Sequence, residues 1–195
     1  MLRLVTTSWV LFGLTMLGCS SSADPEPDTF VPLPPPPAMC PPTVTGAATG
    51  QVPLDAMLKD CDGNDVALHS LCGHDAVWIY RYHRWCEACI YVIDRLVEQR
   101  KTARSSQSYA SWVVAVEDEL GGPATANTCK SVRDEFRLTV KVLYDPVGRL
   151  EEAVQWETDD NRDVVFGRGM VLRYKGETRV PEEVDKVLER LLGPP

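Results

Sequence analysis

Cys86 and Cys89 stand three residues apart in Trp85-Cys86-Glu87-Ala88-Cys89. They follow an aromatic and β-branched run, Ala76-Val77-Trp78-Ile79-Tyr80-Arg81-Tyr82, and open a stretch with apolar residues at helical spacing. A helix N-terminus carries unpaired backbone N–H groups and partial positive charge, which stabilise a thiolate at its first cysteine. A second cysteine one turn on can reach back and close a disulfide, and such a pair exchanges with outside thiols through a mixed disulfide. Trp85 would cover one side of the site. Arg84 and Arg81 add positive charge beside it, and Glu87 opposes them. A structural disulfide uses the same two residues. Zinc needs two more ligands, and the chain has no second Cys-x-x-Cys and no His pair. No metal is therefore expected, and His83 reads as a surface or packing residue at a strand end.

The pair needs a strand before it and a helix after it. Ala76 to Tyr82 is a buried strand by composition. From Cys86 to about Arg104 a helix is predicted, with Ile90, Ile93, Leu96 and Val97 on one face. Upstream, Asp60-Cys61-Asp62-Gly63-Asn64-Asp65 is a polar turn between Leu54–Lys59 and Val66–Leu71, which predicts a hairpin. Downstream, Trp112–Val116 and Val140–Tyr144 read as strands, Asn127–Arg137 as a helix and Leu150–Trp156 as a short helix. Asp159–Asp163 is charged enough to read as surface. Met170–Tyr174 reads as a strand, with Lys175-Gly176-Glu177 turning into a short Thr178–Val180 return. The last helix has Pro181 at its first position, Glu182 and Glu183 in its first turn and Gly193 past its end. Strands alternating with helices imply an α/β fold with a central mixed sheet flanked by helices.

The chain of 195 residues carries 28 acidic against 20 basic side chains, a net charge of −8. This argues against a nucleic-acid partner, which needs a basic face. Seven cysteines suit an exported protein. An odd count leaves at least one without an intramolecular partner. Arg3 and the apolar run Trp9–Leu17 read as a signal peptide over residues 1–18, too short to span a bilayer. Met16-Leu17-Gly18-Cys19 resembles the lipobox of bacterial lipoproteins, which implies lipid on Cys19 and a membrane anchor. Ser20 after it is similar to lipoproteins sorted to the outer membrane, implying a chain that faces the periplasm. Nine of the fifteen prolines lie in residues 20–42. They make residues 19–43 an extended spacer, and residues 44–195 one domain. Cys61 and Cys72 flank the second strand of the hairpin region and are expected to pair, leaving Cys40 with Cys129. Four cysteines nevertheless allow three pairings.

The strand, the Trp-Cys-x-x-Cys motif and the amphipathic helix resemble the thioredoxin superfamily. Asp62-Gly63, Leu68, Leu71-Cys72-Gly73, Val113–Val116 with Glu117-Asp118, and Tyr144-Asp145-Pro146-Val147-Gly148 are similar to its redoxin/TlpA-like branch. The resemblance covers about Val52 to Leu192. It implies a thioredoxin-like fold, Cys86 as nucleophile, Cys89 as resolving thiol, protein thiols or disulfides as substrates and no cofactor beyond the redox-active disulfide. Glu87-Ala88 lacks the proline that many relatives carry between the cysteines. Tyr80 replaces the family's buried carboxylate, so acid/base help for Cys89 must come from elsewhere. The family's cis-proline aligns with Arg168, placing that cation beside the pair. A peroxiredoxin would need proline and threonine where Ile79 and His83 stand. A non-catalytic thioredoxin-fold lipoprotein that binds a partner in its cleft is the alternative function.

Overall fold

The computed structural model describes Cys40 and residues 43–156, 161–177 and 181–195. Asp60 starts the structure locally. Its carboxylate accepts from the backbone N–H groups of Asp62 and Asn64, both at 2.9 Å. Gly63 takes φ +90°, a conformation that favours glycine. This turn joins β1 (Met57–Asp60) to β2 (Asp65–Ala67) as the expected antiparallel hairpin.

β3 (Ala76–His83) is buried along its whole length. It is followed by α1 (Glu87–Tyr91), a π-helical turn over Val92–Leu96 and α2 (Val97–Ala103). β4 (Tyr109–Glu117), α3 (Ala126–Glu135), β5 (Lys141–Tyr144) and α4 (Arg149–Val154) come next. α3 begins at a reciprocal capping box between Thr125 and Thr128. The chain closes with β6 (Asn161–Gly167), β7 (Val171–Glu177) and α5 (Pro181–Leu192).

The seven strands form one sheet in the order β2-β1-β5-β4-β3-β6-β7. β3, β4 and β5 are parallel, and β1 and β6 run antiparallel to their neighbours. Alternate residues of β3 feed two cores, as a strand between two covered faces requires. Trp78, Tyr80 and Tyr82 pack with Cys89, Ile93, Val97, Val132 and Leu188 on one face. Val77 and Ile79 pack with Leu150, Val154 and Phe166 on the other. Arg100 of α2 holds α5 through Asp185 at 2.7 and 3.0 Å and lies 4.4 Å from the Trp78 ring centroid.

Two expectations change at the C-terminal hairpin. Residues 161–163, expected at the surface, are the start of β6, and Arg162 and Asp163 are buried. The turn falls at Arg168–Met170, where Gly169 takes φ +70°, and β7 runs straight through Lys175-Gly176-Glu177. Pairing with β3 and β7 covers a segment whose own composition is polar. The expected return at Thr178–Val180 lies outside the described residues.

Candidate active site

The cysteine pair sits where β3 ends and the helical segment begins. Cys86 is the N-cap residue of α1, and its sulfur accepts from the Cys89 backbone N–H at 3.2 Å. The Cys86 N–H in turn donates to the His83 carbonyl at 3.0 Å, so the connecting turn is tight. The two cysteines are joined as a disulfide with Cα atoms 5.2 Å apart. Their environments differ. Cys86 is partly exposed, whereas Cys89 is 1% exposed and packs into the core under the helix. Trp85, Glu87 and Ala88 are exposed around them. An incoming sulfur therefore meets Cys86 first.

The charges nearby are mostly committed. Arg84 is engaged by Glu119 at 2.6 Å and by Glu135 at 2.8 Å. Burial lowers the Arg84 pKa, but those two carboxylates outweigh it and raise it further. Arg81 is buried and reaches Glu151 at 3.3 Å. His83, expected as a surface or packing residue, is buried and paired with Glu117 through Nδ1 at 2.6 Å. Burial pushes its pKa down to about 4, over the opposing pull of Glu117, so the imidazole is neutral at neutral pH. Desolvation raises the Glu117 carboxyl, yet hydrogen bonds from His83 and the Trp85 indole hold it below its ordinary value.

No protein-family model matches the chain, and no curated protein matches it in sequence. Solved structures do match in shape. A thioredoxin-like protein from Aeropyrum pernix superposes with TM-score 0.55 at 18% identity, over 69% of this chain and 88% of that one. The thioredoxin domain of a thiol-disulfide oxidoreductase from Bacteroides vulgatus gives 0.55 at 16%, over 72% and 98%. A thiol:disulfide interchange protein from Bacteroides sp. gives 0.55 at 14%, over 71% and 89%. The chain has the thioredoxin-like fold.

Within this thioredoxin-like fold one expected neighbour of the pair is elsewhere. Gly167, next to Arg168, pairs with Ala76 at the start of β3, whereas Cys86 follows the end of β3. Arg168 binds Asp75 there, with Nε 2.7 Å from Oδ1. It therefore stands at the opposite end of β3 from Cys86, not beside the pair. The antiparallel register brings the beginning of β6, not its end, to the Cys86 side of the sheet. The residues just before it, 157–160, lie outside the described residues.

The same register sets a buried carboxylate beside Tyr80. Asp163 stands directly opposite Tyr80 and accepts from the Trp78 indole N–H at 2.7 Å. It is 2% exposed and shares a face with the core that holds Cys89. Its sequence neighbourhood read as solvated surface, so only the strand pairing reveals it.

The remaining disulfides also differ from expectation. Cys61 pairs with Cys129, and Cys40 with Cys72. Cys61 belongs to the core on the α3 face of the sheet and Cys72 to the core on the opposite face, so they cannot meet. β1 lies beside β5, and α3 packs over both, which carries Cys129 to Cys61. Cys19 lies outside the described residues. Among the described residues no helix is long and apolar enough to cross a membrane.

Proposed function

We propose that this protein is a thiol–disulfide oxidoreductase of the bacterial envelope that exchanges disulfides with protein cysteines. Lipid on Cys19 would hold it at the outer membrane, facing the periplasm. The observation that carries the redox reading is the asymmetry of the pair: Cys86 partly exposed at a helix N-cap, Cys89 buried behind it. The exposed sulfur is available to a partner and the buried one is kept for the intramolecular step.

In the reducing direction the Cys86 thiolate attacks one sulfur of a substrate disulfide. That S–S bond breaks, one substrate thiolate leaves, and a Cys86–substrate mixed disulfide forms. Cys89 loses its proton and attacks the Cys86 sulfur, releasing the second substrate thiolate and closing Cys86–Cys89. Two electrons pass to the substrate, and the oxidising direction is the reverse. Asp163 offers a buried carboxylate on the Cys89 face as proton acceptor. The helix N-terminus and the Cys89 N–H at 3.2 Å favour the Cys86 thiolate. The dithiol itself carries the electrons, so the reaction calls for no bound cofactor.

The Cys40–Cys72 bridge supports a tethered arrangement. Cys72 precedes β3 and Cys86 follows it, so the eight residues of the strand separate them, about 25 Å at ordinary strand rise. A spacer joined at Cys40 leaves the redox pair at the far end of the domain. Insulin reduction and oxidative refolding of a reduced protein, each run with the full chain and with Cys86→Ser, test the function. Wild-type exchange in either direction that Cys86→Ser abolishes is expected; equal inactivity of both proteins in both directions would overturn it in favour of a binding module.

A further inference from the structure

The turn that carries Cys86 is held from one side by a single carboxylate. β3 and β4 pair in step from Ala76↔Tyr109 to Tyr82↔Ala115, and then the register slips so that His83 meets Glu117. A bulge in a parallel ladder is uncommon, and bulges re-aim side chains next to functional sites. Here Val116 is the extra residue, and the slip places a carboxylate opposite His83. Glu117 Oε2 accepts from His83 Nδ1 at 2.6 Å and also from the Trp85 indole N–H. The His83 and Trp85 rings meet edge to face with centroids 5.5 Å apart. His83 also supplies the carbonyl that receives the Cys86 N–H. One oxygen thus ties together the two residues that flank Arg84 in the three-residue approach to Cys86.

We propose that Glu117 is a positioning residue for the exchange reaction: it fixes Trp85 and the Cys86 turn, and its negative charge keeps the pair on the reducing side. This rests on the reading of Cys86 as the exchanging sulfur. An anion hydrogen-bonded to the residue next to Cys86 disfavours a thiolate there. Destabilising the thiolate destabilises the reduced form and makes the disulfide harder to reduce. The other charged groups around the turn are Glu87 on α1, Arg84 with its partners Glu119 and Glu135, and Arg81 and Arg162, which act on His83.

Two variants of the full chain separate charge from tether. Glu117→Gln keeps an acceptor oxygen and removes the charge, whereas Glu117→Ala removes both. The readouts are the equilibrium constant with reduced and oxidised glutathione, and the pH midpoint of Cys86 alkylation in the reduced protein. Glu117→Gln is expected to shift the equilibrium about threefold to tenfold toward the reduced form and to lower the alkylation midpoint. Glu117→Ala is expected in addition to speed reduction of the disulfide by dithiothreitol severalfold, because the turn loosens. A Glu117→Gln protein matching wild type in both equilibrium and midpoint overturns the proposal, whether or not Glu117→Ala folds. If wild type exchanges with protein substrates while Glu117→Gln is silent, the oxidoreductase reading survives and this one does not. If Glu117→Gln responds while wild type acts on no protein, the role of Glu117 stands and the oxidoreductase reading does not.

Discussion

Tyr80 and Asp163 face each other across the antiparallel pairing of β3 and β6, a tyrosine and a carboxylate in register inside the sheet. The Trp78 indole on the same face donates to that carboxylate at 2.7 Å, so an acid 2% exposed is built into the core with a partner. A buried polar group with a lost partner costs its full desolvation penalty. Asp163→Ala leaves the Trp78 N–H without this acceptor and is expected to lower unfolding free energy by about 1–3 kcal/mol. Asp163→Asn, which keeps an acceptor, is expected to cost less. Urea titration of the oxidised protein measures both, and equal costs would contradict the role assigned to the hydrogen bond.

His83 makes stability depend on pH. Its pKa falls from an ordinary 6.5 to about 4 in the folded chain. Between those values the unfolded chain takes up a proton that the folded chain refuses. Stability therefore drops as pH falls from 6.5 toward 4 and returns as pH rises. The full window corresponds to about 3 kcal/mol. Glu117, Arg81 and Arg162 surround the ring, and Glu117 acts in the same direction at lower pH because its pKa is also depressed. Wild type is expected to lose about 2 kcal/mol more than His83→Gln between pH 7 and pH 4.5 in urea unfolding. Identical losses would remove His83 from the account.

The Cys61–Cys129 bridge closes a loop of 68 residues between β1 and α3, with both cysteines buried. The double variant Cys61→Ala/Cys129→Ala leaves no unpaired thiol in this core and is expected to cost about 2–5 kcal/mol. Peptide mapping without reduction is expected to recover Cys61 linked to Cys129 and Cys40 linked to Cys72. Recovery of Cys61 linked to Cys72 would contradict the placement of these residues on opposite faces.

Arg168 tests how far the candidate site extends. Its ion pair with Asp75 lies at the start of β3, away from Cys86. Arg168→Ala is expected to leave the Cys86–Cys89 reduction potential at the wild-type value. It should cost no more than about 1 kcal/mol of stability, since both partners are partly exposed. A potential that moves toward reducing values on this substitution would restore Arg168 to the neighbourhood of the pair.

Much of the site is local and could be read from residue order. The apolar run ending at Tyr82, the cysteines three apart and the stripe Ile90, Ile93, Leu96 and Val97, of which Ile90 is exposed in the fold, place the pair at a strand-to-helix junction, because strand and helix periodicities act over a few residues. The hairpin at Asp60–Asp65 and the final helix were legible for the same reason: turn and capping chemistry is carried by the residues themselves. His83 and Glu117 were not legible as a pair. They are 34 positions apart, and a one-residue slip in the β3–β4 ladder is what brings them together.

What the sequence determined alone is therefore the chemistry available at one junction, Cys86 and Cys89 at the mouth of a helix, together with the α/β alternation that supports it. Tertiary structure decided which of those sulfurs is exposed, which cysteines staple the domain, and which carboxylate holds the turn before Cys86. Strand pairing sets Glu117 opposite His83, beside the turn to Cys86, and Asp163 opposite Tyr80, and it carries Arg168 to the other end of β3. The physical reason is that strand order and register are set by burying two faces at once, a condition on the whole sheet that no short stretch of residues expresses.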